Sequence, residues 1–184
     1  MQHDYDLLVI GGGSGGVRAA RMSAATGKRV ALVEKQYLGG TCVNVGCIPK
    51  KLFHYAAQLP TQTHEAIGFG WSEVKPSHDW SVLKRNVAAE VQRLNGIYKN
   101  MLQNAGVELF EGVAQLFDAH HVTVGDKKIS AERILLATGG YPWKPDIAGI
   151  EHAITSDDFF SLPHRPERTI VVGGGYIAVE LAGI

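Results

Sequence analysis

Apolar runs separated by glycine-rich turns predict alternating strands and helices along the chain. Leu7–Ile10 is a continuous apolar run, which is typical of a strand buried on both faces of a parallel sheet. Residues 17–26 suit a helix that Gly27 ends, and residues 29–33 form a second apolar strand. This order of strand, helix and strand predicts an α/β domain with a parallel sheet.

A helical pattern occupies the middle of the chain. Between residues 77 and 105 the apolar positions recur at spacings of three and four, which predicts one amphipathic helix of roughly 40 Å. Gly106 is expected to end this helix. The apolar positions are Trp80, Leu83, Val87, Val91, Leu94, Tyr98 and Met101.

Short strands are expected after this helix, as a small β insertion in the α/β domain. Gly125-Asp126 is placed to turn a hairpin, and residues 133–137 suit another buried strand. Residues 141–166 contain four prolines and predict an extended connection, after which residues 169–172 suit a further strand. The short strands are expected at 107–110, 113–117, 121–124 and 128–130.

A glycine-rich segment, residues 11–16, follows the first strand directly, and we call it the first glycine turn. Glu34 lies 23 residues after Gly11, so the order is strand, glycine turn, helix, strand, acid, as in a dinucleotide-binding unit. Gly11 suits the tight turn, Gly13 the approach to a pyrophosphate and Gly16 the packing of helix on strand. Glu34 is then expected to bind a ribose hydroxyl, and the helix N-terminus to bind phosphate.

The pattern returns at residues 173–178, the second glycine turn, with Ala178 in the third small position and Glu180 on the following helix. Because a βαβ unit takes about 30 residues, the residues up to 184 are expected to form only the start of a second nucleotide-binding domain. We therefore predict a first domain over residues 1–150, incomplete at its C-terminal part, and a connection with the truncated second domain over 151–184.

Cys42 and Cys47, the only two cysteines, follow the first glycine turn. Two sulfurs with no histidine at ligand spacing make a poor zinc site, so we expect no metal and favour a redox pair over an inert buried pair. Five helical residues rise about 7.5 Å, more than the usual Cα separation of a disulfide, so the segment between the cysteines is expected to be distorted. Pro49 suits the first turn of a helix, where Cys47 beside Lys50 would favour a thiolate.

Composition narrows the possible partners. The 184 residues contain 18 basic and 18 acidic side chains without a basic stripe, which argues against a nucleic-acid partner. No apolar run approaches the roughly 20 residues of a membrane span, so neither a membrane partner nor a signal peptide is expected. The cytoplasm is the expected location.

Two glycine turns and a close cysteine pair imply two dinucleotides and a dithiol acting in series. Residues 4–184 resemble the N-terminal part of the pyridine nucleotide-disulphide oxidoreductases, and within that family the glutathione reductases. The motif over residues 39–51, GGTCVNVGCIPKK, matches the family's flavin and cysteine signature. Its Lys50-Lys51 ending resembles glutathione and trypanothione reductases, whereas lipoamide dehydrogenases and mercuric reductases usually have Ser-Lys there. Residues 173–183 match the second signature of the same group.

The resemblance implies a Rossmann-like FAD-binding domain in a protein that also uses NADPH. Cys42 would attack the substrate disulfide, and Cys47 would lie against the flavin as the charge-transfer thiolate. Lys50 would lie near flavin N5, paired with Glu180, and Tyr176 would cover the flavin until nicotinamide displaces it. The implied FAD contacts are Gly11, Gly13, Ser14, Gly15, Gly16, Glu34, Thr41, Cys42, Lys50, the Ala114 backbone, Thr138 and Gly139, and those for NADPH are Gly173, Gly175, Tyr176, Ile177 and Glu180.

The resemblance also implies glutathione disulfide as substrate. Arg18 and Arg21 lie three apart on the first helix, where they would meet its carboxylates, or else form a solvated helix face. Tyr98 matches a tyrosine that touches glutathione in the family, or else is one more member of the core-facing stripe.

The family takes its acid-base histidine from the C-terminal domain of the partner subunit, which implies a homodimer. No residue here matches that histidine, so the isolated 184-residue chain is expected not to turn over. Two alternatives stay open: a related reductase of lipoamide or mercuric ion, and a non-catalytic FAD-binding module.

Overall fold

The computed structural model describes residues 3–184, which divide into two compact units. The first unit contains the described residues up to Asn44 together with Gln92–Tyr141. The second contains Val45–Val91 and Pro142–Ile184. The domain boundary at residue 150 stays a prediction.

The first unit contains a six-stranded sheet in which four strands run parallel and two form an antiparallel extension. The strands are β1 (Tyr5–Ile10), β2 (Val30–Glu34), β3 (Val107–Glu111), β4 (Ala114–Leu116), β5 (His121–Val124) and β6 (Lys127–Leu136). Their order is β3-β2-β1-β6-β5-β4, and β5 is antiparallel to both of its neighbours. This is a Rossmann-like α/β fold, and the predicted fold class is confirmed.

Two predictions about the short strands were wrong. The strands expected at 128–130 and 133–137 are one continuous strand, β6, whose first half pairs with β5 and whose second half pairs with β1. The strand expected at 107–110 is not part of the insertion, because β3 pairs in parallel with β2. The insertion therefore consists of β4, β5 and the start of β6, with its hairpin turned at Gly125.

Side chains from both faces of this sheet form the core, as expected for parallel strands between two layers. Successive residues of β2 alternate between the faces, and all four from Val30 to Val33 are at most 1% exposed. One cluster contains Leu8, Ala31, Val33, Val122, Val124, Ile129 and Ala131. The other contains Val9, Val17, Ala20, Val30, Leu32, Leu102 and Val107.

Glycines follow the ends of both predicted long helices. Helix α1 (Ser14–Ala24) starts three residues earlier than predicted, directly after Gly13, and the Gly27 N–H donates to the Ala24 carbonyl at 2.9 Å. The helix predicted over residues 77–105 is present as Trp80–Asn104. Gly106 follows it with φ +77°, a left-handed conformation that glycine adopts without strain.

The second unit is built around the buried ring of Phe53. After the short helix α2 (Gly40–Asn44) of the first unit, α3 (Cys47–Ala66) places Phe53 against Trp80, the first residue of α4 (Trp80–Asn104). The rings of Phe159 and Phe160 lie 5.4 and 5.9 Å from that of Phe53. The remaining elements are α5 (Ser156–Phe159), α6 (Tyr176–Ala182) and two 3₁₀ turns at Ile67–Phe69 and Ile150–His152.

The strand predicted at residues 169–172 is absent, which corrects the expectation of a strand before the second glycine turn. Ile170 is 91% exposed and Val172 is 77% exposed. A parallel strand forms only when a neighbour completes its hydrogen bonds, and no strand over residues 3–184 pairs with this segment. The helix after the turn, α6, is present as predicted.

In the part of the chain that the structure describes, none of the helices is both long and apolar enough to cross a bilayer.

Candidate functional site

The first glycine turn lies at the carboxyl end of β1, which has β2 on one side and β6 on the other. The Gly11 N–H donates to the Val33 carbonyl at 2.8 Å, and Gly11 has φ +111°. A Cβ on Gly11 would lie 2.2 Å from the Ala137 carbonyl oxygen, and one on Gly16 would lie 1.9 Å from the Gly11 carbonyl oxygen. Only glycine fits these two positions, and such an edge is where open α/β sheets bind ligands.

The N-terminus of α1 opens onto free space. The backbone N–H groups in the first turn of a helix have no intrahelical partners, and the N-cap residue Gly13 provides no side-chain cap for them. Ser14 and Gly15 are exposed, and a Cβ on Gly15 would meet no atom within 4 Å. This turn therefore has both the donors and the room to hold a phosphate group.

Glu34, the predicted acid, faces the same turn. One of its carboxylate oxygens accepts a hydrogen bond from the Gly12 N–H at 2.6 Å, and the other accepts from the Gln36 N–H at 2.8 Å. Each carboxylate oxygen has a further lone pair, so the group can still accept a hydrogen bond from a hydroxyl. The carboxylate is thereby held at the C-terminal end of β2, beside the first glycine turn.

The turn that contains Cys42 is attached to the first glycine turn within the same unit. The Gly39 N–H donates to the Gly12 carbonyl at 2.8 Å. Gly40 has φ +59°, and a Cβ there would lie 2.7 Å from the Gly13 Cα. In the short helix α2 that follows, Thr41 is exposed and Cys42 is half-buried.

The helix breaks between the two cysteines, as their spacing predicted. Helix α2 ends at Asn44 and α3 begins at Cys47, and Gly46 between them has φ −149° and ψ −122°. Pro49 is buried in the first turn of α3, and Cys47 is exposed at its start. The predicted distortion and the predicted helix start are both confirmed.

Sequence reasoning missed two asparagines that support the Cys42 turn. Asn44 donates from its side chain to the Leu38 and Gly40 carbonyls at 3.1 and 2.8 Å. Asn95 of α4 donates to the same Leu38 carbonyl at 2.7 Å and to the Asn44 side-chain oxygen at 3.0 Å. The available signal in the sequence was the position of Asn95 directly after Leu94, at the border of the apolar stripe. In the structure Asn95 is half-buried.

Thr138, Gly139 and Ala114 also lie in the first unit. The Cα of Thr138 lies 3.2 Å from the position that a Cβ on Gly11 would take, and Thr138 and Gly139 are exposed after the end of β6. Ala114 begins β4, two residues after Gly112, whose N–H donates to the Glu34 carbonyl at 2.9 Å. Thr138 is therefore adjacent to the first glycine turn, and Ala114 follows a segment bonded to Glu34.

Lys50 and Glu180 lie in the second unit, where the ion pair implied by the resemblance is present. The Lys50 ammonium lies 2.6 Å from a Glu180 carboxylate oxygen, although the residues are 130 apart in sequence. Their side chains are 27% and 39% exposed, so water screens the pair only in part. The fold of this unit thus brings the first turn of α3 and the end of α6 together.

The first five residues of the second glycine turn, from Gly173 to Ile177, are exposed. Gly173 has φ +124°, and Gly175 is the N-cap of α6. Tyr176 is 77% exposed, and Ile177 beside it is 42% exposed. The predicted NADPH contacts of this turn therefore face solvent.

The three residues predicted to bind substrate differ in their surroundings. Arg18 and Arg21 are both exposed on α1, a placement that suits either an anionic ligand or a solvated face. Tyr98 is half-buried and packs against the core cluster that contains Leu102 and Val107. Its packing supports the core hypothesis for Tyr98.

An open depression of about 570 Å³ lies at the opposite edge of the sheet, where the strands begin. Tyr5 and Glu108 meet there in a hydrogen bond of 2.5 Å. Ligands of open α/β sheets bind outside the carboxyl ends of the strands. We therefore assign the candidate site to the edge that contains the first glycine turn.

Comparison with known proteins agrees with this geometry. Residues 5–184 match the family model of the pyridine nucleotide-disulphide oxidoreductases. The chain belongs to this family. The predicted resemblance is thereby confirmed, and the matched range includes both glycine turns and the cysteine motif.

Individual members of the family are similar over nearly the whole chain. A glutathione reductase from Burkholderia cepacia is 50% identical over 183 residues, covering 100% of this chain and 41% of the relative. A chloroplastic/mitochondrial glutathione reductase from Pisum sativum is 50% identical over 194 residues, covering 100% of this chain and 35% of the relative. A thioredoxin reductase from Emiliania huxleyi is 45% identical over 194 residues, covering 97% of this chain and 39% of the relative. The chain thus spans about two-fifths of the length of these curated relatives.

Proposed function

We propose that the protein containing these residues is a flavin-dependent disulfide reductase, in which electrons pass from NADPH through FAD and the Cys42–Cys47 pair to glutathione disulfide. The observation that supports this most directly is the attachment of the Cys42 turn to the first glycine turn, through the Gly39 N–H and the Gly12 carbonyl. This hydrogen bond holds the turn that contains the half-buried Cys42 beside the dinucleotide-binding turn.

The residues of the first unit fit FAD. Ser14 and Gly15 offer the backbone N–H groups of a helix start to a diphosphate, and Glu34 offers a fixed carboxylate to a ribose hydroxyl. FAD, when bound, supplies a two-electron carrier between nicotinamide and the cysteine pair. The remaining FAD contacts proposed from the resemblance are Thr41, Cys42, Lys50, Ala114, Thr138 and Gly139.

The two cysteines perform the exchange with the substrate. The Cys42 thiolate attacks one sulfur of the substrate disulfide, forming a mixed disulfide and releasing one thiol. Cys47 then attacks the Cys42 sulfur, forms the Cys42–Cys47 bond and releases the second thiol. Two electrons and two protons restore the dithiol, and NADPH is the source of the electrons. Lys50, paired with Glu180 at 2.6 Å, holds a positive charge in the first turn of α3, three residues after Cys47.

The remaining assignments belong to the same proposal. The Arg18 and Arg21 guanidinium groups bind the carboxylates of glutathione disulfide. Tyr98 is a contact of this substrate on the strength of the resemblance, although its packing favours a core role. A homodimer and the cytoplasm remain the expected assembly and location. The NADPH contacts are Gly173, Gly175, Tyr176, Ile177 and Glu180.

Steady-state kinetics of the full-length protein test the proposal. The wild type should contain yellow flavin and oxidise NADPH faster with glutathione disulfide than with thioredoxin, lipoamide or mercuric ion. Cys42→Ser and Cys47→Ser should each lower kcat/KM by at least about 1,000-fold, because each removes one sulfur of the exchange. Dithionite should still reduce the flavin in both variants, which is the control for an intact FAD site.

Three outcomes contradict the proposal in different ways. A colourless wild type excludes the flavin, and a yellow protein without NADPH-dependent turnover indicates a non-catalytic FAD-binding module. Faster reduction of thioredoxin than of glutathione disulfide would instead assign the substrate in the name of the Emiliania huxleyi relative.

A further inference from the structure

We propose that Asn95 of α4 is a positioning residue for Cys42. Its side-chain amide fixes residues 38–44, which we call the Cys42 turn, in the conformation from which Cys42 forms its disulfide. This inference rests on the proposed function, because it takes Cys42 as one half of a redox pair.

Two side-chain amides bracket the Cys42 turn. Asn95 donates both to the Leu38 carbonyl at 2.7 Å and to the Asn44 side-chain oxygen at 3.0 Å. Asn44 donates to the Leu38 and Gly40 carbonyls at 3.1 and 2.8 Å. The start and the end of the turn are therefore joined through one connected set of hydrogen bonds, with Cys42 between them.

The opposite side of the Cys42 turn is fixed by the first glycine turn. The Gly39 N–H donates to the Gly12 carbonyl at 2.8 Å, and Gly40 packs so closely on Gly13 that a Cβ would lie 2.7 Å from the Gly13 Cα. Asn95 approaches from a different element, 51 residues after Asn44 in the chain. It ties the turn to α4, whose Leu102 is fully buried in the core.

An amide at position 95 suits this network for a chemical reason. Both groups that the Asn95 side chain contacts are acceptors, a backbone carbonyl and an amide oxygen, so the position needs two donors on one nitrogen. Aspartate has nearly the same shape but presents only acceptors when it is ionised. Asn95→Asp should therefore oppose oxygen to oxygen in a half-buried site and release the turn.

Release of the turn should change the redox equilibrium of the cysteines. When the turn is held in both redox states, forming the disulfide orders little new backbone. When the turn is loose in the dithiol, closing the disulfide must order it, and the effective concentration of one sulfur at the other falls. Loss of a network that only stabilised the fold would lower the unfolding midpoint and leave this redox equilibrium unchanged.

The test measures the equilibrium of the cysteine pair in glutathione buffers with the full-length protein. The reaction converts two protein thiols and one glutathione disulfide into one protein disulfide and two glutathione thiols. Acid-quenched alkylation followed by mass spectrometry gives the fractions of dithiol and disulfide, and from these the equilibrium constant. We expect Asn95→Asp to lower the constant about tenfold, the scale of one or two lost hydrogen bonds. Asn100→Asp, the same change at an exposed position of α4, is the matched control and should stay within about twofold of the wild type.

A milder variant keeps the test decisive. If Asn95→Asp does not fold, Asn95→Ala removes the donors without adding charge and should lower the constant about threefold. In a double-mutant cycle, Asn44→Ala and Asn95→Ala should be non-additive, because Asn95 acts partly through the Asn44 side chain.

The outcomes separate this inference from the proposed function. A lower unfolding midpoint with an unchanged equilibrium constant in the folded Asn95 variant overturns the positioning role and leaves the proposed function intact. A wild-type protein that forms no Cys42–Cys47 disulfide in any buffer overturns the proposed function, and this inference with it, before any variant is made.

Discussion

The two glycine turns share their local conformation and differ in what surrounds them. Gly11 and Gly173 have φ of +111° and +124°, and the two N-cap glycines, Gly13 and Gly175, have φ of −79° and −70°. A helix follows each N-cap at once. The same glycine spacing is therefore accompanied by the same turn conformation and the same helix start in both regions.

The segment before each turn shows the difference. Val9, before the first turn, is fully buried, and Gly11 donates to the neighbouring strand at Val33. Val172, before the second turn, is 77% exposed, and none of the six strands in the described part of the chain pairs with its segment. The same motif is thus supported by a sheet in one region and has no strand before it in the other, because an apolar run becomes a strand only beside a partner.

The largest expected difference between the regions comes from adding one methyl group. Gly16→Ala should lower the free energy of unfolding by at least about 3 kcal/mol, because its Cβ would lie 1.9 Å from the Gly11 carbonyl oxygen. Gly174→Ala in the second turn meets no atom within 4 Å and should change it by less than about 0.5 kcal/mol. Urea unfolding followed by circular dichroism measures both, and equal losses would refute the contrast.

The acidic residue of each region gives a smaller difference. Glu34→Gln should cost about 2 kcal/mol, because an amide cannot accept from the N–H groups of both Gly12 and Gln36 through its two terminal atoms. Glu180→Gln loses a partly exposed ion pair with Lys50 and should cost less than about 1 kcal/mol. The same urea titration ranks the two variants. A larger loss for Glu180→Gln than for Glu34→Gln would contradict this ranking.

Lowering the pH should have the smallest effect on the stability of the protein, and the effect should be the same in both units. Hydrogen bonds from the Ser130 hydroxyl and N–H lower the pKa of Asp4 below its ordinary value of 3.8, and those from the Thr155 N–H and hydroxyl lower the pKa of Asp158. Stability from a lowered carboxyl pKa is present above the ordinary value and is lost as the pH falls through the lowered one. Asp4→Asn and Asp158→Asn should therefore destabilise at neutral pH and lose that effect well below pH 3.8. Urea unfolding midpoints of the wild type and both variants, at neutral pH and well below pH 3.8, measure this loss.

Carboxyl NMR titration provides an independent check of the pH effect. The pKa of the neighbouring Asp157 should be shifted upward instead, because burial of its carboxyl group raises it. A pKa of Asp158 at or above that of Asp157 would contradict the capping contact with Thr155.

Local pattern predicted most of the first unit. The strands at 7–10 and 121–124, the long helix and the glycine stops were found within a few residues of their predicted ends. The prediction of two strands in place of β6 was wrong. Residues 130–132 interrupt the apolar pattern, but the strand continues without a break as its pairing changes from β5 to β1. The partners of a strand are not encoded in its own residues.

The candidate site divides in the same way. Glu34 was anticipated from its spacing after the first glycine turn, and the Lys50–Glu180 pair was anticipated from the family resemblance. Asn44 and Asn95 were not, because an asparagine in a helix is ordinarily a solvated residue. Their contacts depend on which carbonyl the folded chain places opposite each amide.

The sequence by itself determined the glycine turns, the break between the cysteines and the family, because glycine conformations and helix starts depend on neighbours along the chain. Tertiary structure alone decided that the apolar run at residues 7–10 is a strand whereas that at 169–172 is not, and that Asn95 reaches the Cys42 turn. Both outcomes require partners distant in sequence, and hydrogen bonds to such partners form only when the rest of the chain has folded around them.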